Sequence, residues 1–198
     1  MKDASQKKWK IINQEILHSG YFDYLKISSK YERYDKKWSK KIEREVFERG
    51  DAVSVLLYDP EKDSIVMVEQ FRAGATRHPK GPWTLEIIAG TLEKHESPEE
   101  CVVREVEEEA GFKLKNPLIR ISDYLVSPGG STERMWLFFT EVNSENIGGI
   151  YGLEESGENT KVVVLKREEA MKMIEAGEIF VATAILSLYW LQNRLRNE

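Results

Sequence analysis

The sequence predicts an α+β protein, a sandwich of helices around a mixed sheet with a small N-terminal antiparallel β subdomain. Segments with the alternating apolar and polar pattern of strands are the most numerous in the chain of 198 residues. Only three segments have the 3.6-residue apolar period of helices, one near the middle and two at the end. The hydrophobic share of 41% and the charged share of 32% are those of an ordinary globular protein.

The first 50 residues differ from the rest in charge. They hold 13 Lys and Arg against 8 Asp and Glu, whereas the remaining residues hold 16 against 26. The acidic body argues against general nucleic-acid binding, and the basic piece suits a phosphate-bearing ligand. Short alternating runs between Trp9 and Arg44 predict two or three strands, too few to be stable alone. We therefore expect residues 1–45 to pack on a body of residues 46–198, or on a second copy of it.

The body begins with strands. In order, they are a hairpin of Ala52–Tyr58 and Ser64–Phe71, one strand over Trp83–Ala89, strands at Leu118–Val126 and Arg134–Val142, and a short one at Val162–Leu165. The segment Asn143–Lys161 is glycine-rich, acidic and too polar for a core, which predicts a functional or disordered loop. Helices are predicted at Arg167–Ala176 and Val181–Leu195, the second packing through Ala184, Leu186, Leu188 and Leu191.

The central helix has clear start and stop signals. Ser97 fits the N-cap, Pro98 the first helical position, and Glu100 the reciprocal position of a capping box. Gly111 fits a left-handed residue at the C-terminal end. One face is predicted to bury against the sheet, and it consists of Val102, Val103, Val106 and Ala110.

A neighbouring face of this helix is acidic. Glu105, Glu108 and Glu109 lie at i, i+3 and i+4, where like charges repel unless a cation lies among them. Three convergent carboxylates suit Mg²⁺ or Mn²⁺, which take hard oxygen ligands. A solvated acidic face is the other interpretation of such a run when it stands alone.

The wider pattern favours the metal. Gly90, Glu96, the pair Arg104-Glu105 and the pair Glu108-Glu109 stand at the spacing of the signature of the Nudix hydrolases, which this stretch resembles. The resemblance implies a Nudix fold and metal-dependent cleavage of a nucleoside diphosphate linked to another group. It also implies metal ligation by Glu105, Glu109, Glu108 and the carbonyl of Ala89, with an ion pair between Arg104 and Glu96.

Further segments resemble bacterial ADP-ribose pyrophosphatases within that family. These segments are Arg44–Gly50, Val68–Arg72, Leu85–Gly90 and Ser127–Gly130, together with Pro128 at the place that marks this branch. The resemblance implies that Arg72 and Arg44 contact the diphosphate or the terminal ribose. It implies that Tyr21 or Phe22 stacks on the base and that Glu133 accepts a hydrogen bond from a sugar hydroxyl. Glu86 is expected near the metals or just outside them.

The chain departs from that family in the loop before Val162. The family has Glu-Asn-Glu-Asp there, and the ungapped alignment gives Ser156-Gly157-Glu158-Asn159. Glu158 is the preferred residue to activate the attacking water, with Glu155, the adjacent Glu154 and the helix residue Glu108 as alternatives.

The resemblance thus predicts hydrolysis of ADP-ribose to AMP and ribose 5-phosphate. The alternatives are another nucleoside diphosphate sugar, such as GDP-mannose or UDP-glucose, and a sensor that binds ADP-ribose without cleaving it. Family members form homodimers in which the N-terminal piece reaches the partner's site. Cys101 is the only cysteine, which fits a buried residue in a cytoplasmic protein, and no apolar run has the length of a membrane span.

Overall fold

The computed structural model describes residues 7–152 and 157–197, and the chain forms two compact units. The first unit contains the chain up to Asp51 together with Leu125–Arg134. The second contains Ala52–Tyr124 and the chain from Met135 onward.

The first unit is a three-stranded antiparallel sheet, as the sequence predicts. Its strands are β1 (Trp9–Ser19), β2 (Asp23–Tyr31) and β3 (Ile42–Glu48), in the order β1-β2-β3. The segment Leu125–Arg134 joins this sheet through β3, because the Phe47 amide donates to the Gly130 carbonyl at 2.9 Å. The Thr132 amide donates in return to the Phe47 carbonyl at 3.0 Å.

The second unit is built on an eight-stranded sheet. Its strands are β4 (Asp51–Asp59), β5 (Ser64–Phe71), β6 (Trp83–Glu86), β7 (Ile88–Thr91), β8 (Ile119–Leu125), β9 (Arg134–Glu141), β10 (Gly149–Tyr151) and β11 (Thr160–Lys166). The main path runs β10-β11-β5-β4-β9-β8, with β6 pairing β5 and β7 pairing β4. The Val142 amide, just past the end of β9, donates to the carbonyl of Tyr58 near the end of β4 at 2.8 Å. The two strands therefore run parallel, and the sheet is mixed as predicted.

The single strand predicted over Trp83–Ala89 is wrong, because the structure divides it at Ile87. The hairpin strands β4 and β5 pair with each other only near their turn, where Leu57 lies opposite Val66. Beyond that point they diverge, and the incoming segment fills the gap. It pairs first with β5 and then, after Ile87, with β4.

Helices cover both faces of this sheet, so the predicted sandwich is confirmed. The helices are α1 (Pro98–Ala110), α2 (Arg167–Glu175) and α3 (Ala182–Asn197). Alternate residues of β4 and β5 point to two separate cores. One core packs α1 against residues such as Val55 and Val68, and the other packs α2 and α3 against residues such as Leu56 and Met67.

The α1 caps are those predicted, but one residue of its buried face is not. Ser97 and Glu100 form the capping box, and Gly111 has φ 70°. Val102, Val106 and Ala110 are buried, whereas Val103 is 42% exposed. Val103 follows Val102 by 100° around the helix, which turns it toward solvent, and Cys101 takes its place in the core.

The C-terminal part corrects two further predictions. The segment Asn143–Lys161 is not a plain loop, because it contains β10 and the first residues of β11. On α3, Ala184, Leu188 and Leu191 are buried as predicted, but Leu186 is 45% exposed. No helix within the described ranges has both the length and the apolar character of a membrane span.

Two leucines of α3 give a direct test of this packing. Leu188→Ala should lower the free energy of unfolding by about 2–5 kcal/mol, because it opens a cavity in the core under α2 and α3. Leu186→Ala is the matched control and should cost about 0.5 kcal/mol or less. Urea unfolding of the two variants measures both values, and equal losses would contradict the orientation of α3.

Candidate active site

The signature loop is fixed to α1 by close packing at Gly90. A Cβ atom on Gly90 would lie 1.8 Å from the carboxyl carbon of Glu105, far inside van der Waals contact. The glycine is required here for space, since it allows the Glu105 side chain to lie directly on the backbone of β7. Gly90 and Glu105 therefore act as one contact between the strand and the helix.

Arg104 holds three carboxylates of this region. Its guanidinium lies 2.9 Å from Glu96, 2.7 Å from Glu105 and 3.1 Å from Glu108. The hydrogen bond from Arg104 lowers the pKa of Glu96 to about 2. The same bond to Glu96 raises the pKa of Arg104. The implied ion pair between Arg104 and Glu96 is present, and the acidic face has the cation that its repulsion requires.

Glu109 is the one buried glutamate of α1. It is only 7% exposed, and its two oxygens accept from the Gln70 side-chain amide and from the Ala89 backbone amide, each at 3.4 Å. Burial, followed by the nearby charge of Glu105, raises the pKa of Glu109 to about 8. Burial also raises the pKa of Glu105, against the opposing charge of Arg104.

Arg72, immediately after β5, and Glu86, the last residue of β6, form a second ion pair. Arg72 donates two hydrogen bonds from Nε and one from Nη2 to Glu86, at 2.9–3.3 Å. Thr84 donates to the same carboxylate at 2.5 Å. Burial opposes the charge of Arg72, but its hydrogen bonds to Glu86 leave its pKa raised. The charge of Glu109 also helps to raise the pKa of Arg72, so Arg72 lies within electrostatic range of α1.

The donor set fits a divalent cation. Burial raises the pKa values of both Glu105 and Glu109, and a cation between them would offset this cost of burying their charge. All the predicted ligands are oxygens, which Mg²⁺ and Mn²⁺ prefer. Within the described ranges no three acidic, histidine or cysteine side chains are already gathered around one point. Arg104 accounts for this, because it binds the carboxylates of Glu105 and Glu108.

The predicted bases divide between described and undescribed residues. Glu158 is described and exposed, and one residue separates it from the start of β11. Burial raises the pKa of Glu105, and the charge of Glu158 adds a smaller increase. Burial lowers the pKa of Arg72, whereas Glu86 and, to a smaller extent, Glu158 raise it. Glu158 therefore lies within electrostatic range of both residues. Glu155, with its neighbours Glu154 and Ser156, lies outside the described residues.

The remaining predicted substrate residues belong to the first unit. Phe22 stacks edge-on against Tyr21 and against Phe47, with ring centroids 4.6 and 5.2 Å apart. Tyr21 is 90% exposed, so its ring is accessible from solvent. Pro128 lies in the segment that pairs with β3, and Arg44 is exposed and donates to the Glu43 carbonyl at 2.8 Å.

Sequence reasoning missed three residues that the structure connects to this chemistry. Arg49 lies over the Phe22 ring at 4.5 Å and 3.8 Å from Glu133, so it links two predicted substrate residues. Gln70 and Thr84 bind Glu109 and Glu86. Arg49 lies in the segment Arg44–Gly50 and Gln70 in the segment Val68–Arg72. Both segments carry the family resemblance, which was the available signal for these residues. Thr84 gave no signal, because threonine is an ordinary strand residue.

The fold and the carboxylate helix define one class of protein. The family model described as "NUDIX domain" matches residues 48–184, which is more than half of the chain. The chain belongs to the Nudix family.

Individual relatives are similar over nearly the full length. The chain is 42% identical to the ADP-ribose pyrophosphatase of Haemophilus influenzae over 191 residues, 95% of this chain and 88% of that protein. It is 37% identical to the Escherichia coli protein of the same name, over 95% of this chain and 91% of the relative. It is 34% identical to the GDP-mannose pyrophosphatase of an Enterobacter species, over 93% and 95%. A crystal structure of an ADP compounds hydrolase has the same fold, with a TM-score of 0.71 at 19% identity and 98% coverage of both chains.

The raised pKa of Glu109 predicts how the metal-free protein responds to pH. Because the pKa is about 8 in the folded chain and 4.5 as a free side chain, the contribution to stability is full below pH 4.5. It is lost as the pH rises through 8. Glu109→Gln cannot lose a proton, so its thermal midpoint should overtake that of the wild type across this range.

The control for this prediction is Glu107→Gln on the exposed face of the same helix. It should keep the wild-type pH profile, because Glu107 bonds only the surface Lys113 at 3.4 Å among the ion pairs described. Midpoints measured in EDTA between pH 4.5 and 9 provide the comparison. Parallel curves for the wild type and Glu109→Gln would contradict the burial of this charge.

Proposed function

We propose that the protein hydrolyses ADP-ribose to AMP and ribose 5-phosphate with the help of a divalent cation, Mg²⁺ or Mn²⁺. The observation that carries this proposal is the 42% identity to an ADP-ribose pyrophosphatase over 95% of the chain. The similarity extends beyond the catalytic domain into the N-terminal strands, where the predicted base-stacking residues lie. A shared catalytic helix alone would support only the hydrolase class.

Glu105, Glu108, Glu109 and the carbonyl of Ala89 would hold the cation. When bound there, it would neutralise charge on the diphosphate and acidify a water molecule. Arg104 donates to one oxygen of Glu105 and to one oxygen of Glu108, which would leave the second oxygen of each carboxylate for the cation. Gln70 and the Ala89 amide orient Glu109.

The proton of the attacking water goes to a carboxylate, for which we propose Glu158. Water oxygen forms a bond to one phosphorus, the bridging P–O bond breaks, and the leaving phosphate keeps the electron pair. Arg72 supports the negative charge on the phosphate oxygens through its Nη1 donors, since Nε and Nη2 hold Glu86. Glu108 is the base in the alternative in which α1 supplies it, and Glu155 in the alternative in which the loop has a different register.

For the nucleoside end, we propose base stacking on Tyr21 or Phe22 and a sugar hydroxyl bonded to Glu133. Arg49 supports Phe22 and Glu133 by lying between them in the first unit. Arg44 and Pro128 complete the proposed substrate contacts. The exposure of Tyr21 and Arg44 is consistent with groups that act on a bound ligand.

GDP-mannose is the second candidate substrate. A relative named for that activity is 34% identical over 93% of the chain. A sensor that binds without cleaving is disfavoured, since it has no need for buried carboxylates whose charge is costly without a cation.

A substrate panel tests the proposed function. ADP-ribose, GDP-mannose and UDP-glucose are incubated with the purified protein, and the released monophosphates are separated by chromatography. We expect AMP and ribose 5-phosphate in Mg²⁺ or Mn²⁺, and no product in EDTA. Faster turnover of GDP-mannose would move the assignment to the second candidate, and binding without product would favour the sensor.

The proposed base has its own prediction. Glu158→Gln should lower kcat about 10²–10⁴-fold with little change in KM, as expected for the loss of a general base. Glu154→Gln and Glu155→Gln are the matched controls in the same loop and should be mild. If Glu155→Gln is the damaging change, the loop has another register. If no variant is impaired, the helix supplies the base.

We also propose a homodimer in which the subdomain of residues 1–45 covers the site of the second copy. Every residue of β1 is exposed, including large apolar side chains such as Trp9, Ile11 and Ile16. A sheet of three strands with such a face needs a covering surface.

The oligomeric prediction concerns the effect of removing these strands. Residues 45–198 alone should bind substrate more weakly and should be monomeric or aggregate, whereas the whole chain should have the mass of a dimer in light scattering. An active, monodisperse monomer after truncation would show that the strands are an appendage. The buried single cysteine agrees with the cytoplasm as the proposed compartment.

A further inference from the structure

Tyr151, the last residue of β10, lies against the end of the catalytic helix. A Cβ atom on Gly111, the left-handed residue that ends α1, would be 2.1 Å from one carbon of the Tyr151 ring. The ring therefore rests directly on the Gly111 backbone. It also packs against the core that contains Val102, Val106 and Ala110 of α1.

The ring is held on a second side by Gly149, the first residue of β10, and by Gly148 before it. The Tyr151 hydroxyl donates to the Gly148 carbonyl at 3.1 Å. A Cβ atom on Gly149 would lie 3.2 Å from the ring, and Gly149 has φ 118°. Tyr151 thus sits between glycines on both sides, where any larger residue would displace it.

The strand that carries Tyr151 also fixes the backbone of Glu158. In the pairing of β10 with β11, Tyr151 lies opposite Thr160, which is 1% exposed. The next residue, Gly152, has φ 107°, and a Cβ on it would lie 2.8 Å from the Cβ of Glu158. Gly152 and Glu158 therefore touch across the base of the hairpin.

These contacts form a continuous connection between two parts of the site. α1 carries Glu105, Glu108 and Glu109 and ends at Gly111, on which Tyr151 rests. One residue after Tyr151, Gly152 contacts Glu158. The distance between the carboxylate helix and Glu158 therefore depends on the place of the Tyr151 ring.

We propose that Tyr151 is a positioning residue, which sets the place of Glu158 relative to α1 by wedging its ring between Gly111 on one side and Gly148 and Gly149 on the other. This inference rests on the proposed function, in which Glu158 takes the proton of the attacking water. Tyr151 itself does not touch the substrate. Its role is to keep a base on a short hairpin at a constant distance from ligands on a helix, since small displacements of a base are costly.

Steady-state kinetics on ADP-ribose provide the first test. Tyr151→Ala removes the wedge and should lower kcat about 10–100-fold with KM within a factor of about 2. Tyr151→Phe keeps the ring and loses only the hydrogen bond to Gly148, so it should keep most of the wild-type kcat. Ile150→Ala is the matched control, because Ile150 is the preceding residue of the same strand and is 68% exposed. Wild-type kcat in Tyr151→Ala would overturn the proposal.

A double variant separates positioning from general support of the fold. If Tyr151 acts through Glu158, adding Tyr151→Ala to Glu158→Gln should lower kcat no further. A purely structural role would give the same fold-loss in both backgrounds. Independent, multiplying losses would therefore overturn the proposal.

Hydrogen exchange of the metal-free protein gives a readout that does not depend on activity. Amides of residues 157–162 should exchange faster in Tyr151→Ala than in the wild type, Tyr151→Phe or Ile150→Ala. Equal exchange in all four proteins would overturn the wedge, whatever the substrate. A wild type that exchanges as expected but leaves ADP-ribose intact would instead contradict the proposed function.

Discussion

The ion pairs of Arg104 are the interaction on which the site depends. One guanidinium lies within 3.1 Å of carboxylates from the signature loop and from two turns of α1. Without this guanidinium, Glu105, Glu108 and Glu109 on neighbouring positions of a half-buried helix would repel one another, and their desolvation would be less well offset. The hydrogen bond from Arg104 lowers the pKa of Glu96 to about 2, which shows that Arg104 strongly favours the charged form of this carboxylate. The loop and the helix are therefore held together by charge as well as by the Gly90 contact.

The ion pairs of Arg104 are distributed unequally among the carboxylates of the site. It satisfies Glu96, Glu105 and Glu108 but makes no described ion pair with Glu109, which is left with two long hydrogen bonds from neutral groups. Burial then raises its pKa to about 8. A carboxylate in this condition is stabilised either by a proton or by a cation, and these two compete. Glu109 is thus left without a described ion pair, whereas Glu96, Glu105 and Glu108 each have one with Arg104.

Much of this arrangement could be predicted because it is local in sequence. The capping box, the left-handed Gly111 and the spacing of the acids all lie within about four helical turns, where the 3.6-residue period sets the geometry. The same period failed for Val103 and Leu186, because an apolar side chain at the margin of a helix face is buried only if a partner reaches it. The division of the strand at Ile87 depends on how far β4 and β5 diverge, which no local pattern contains.

Gln70, which sequence reasoning missed, and Tyr151 share one physical property, which is that each stands on a strand of the eight-stranded sheet that brings it to α1 or to its end. Gln70 reaches Glu109 across 39 residues, and Tyr151 reaches Gly111 across 40. Their identities are ordinary for strands, whereas the informative residues are the glycines that receive them. Gly90, Gly111 and Gly152 each lie where a Cβ would overlap another residue of the site. At these three positions the glycine therefore marks where a residue of another segment comes close, and not only a change in chain direction.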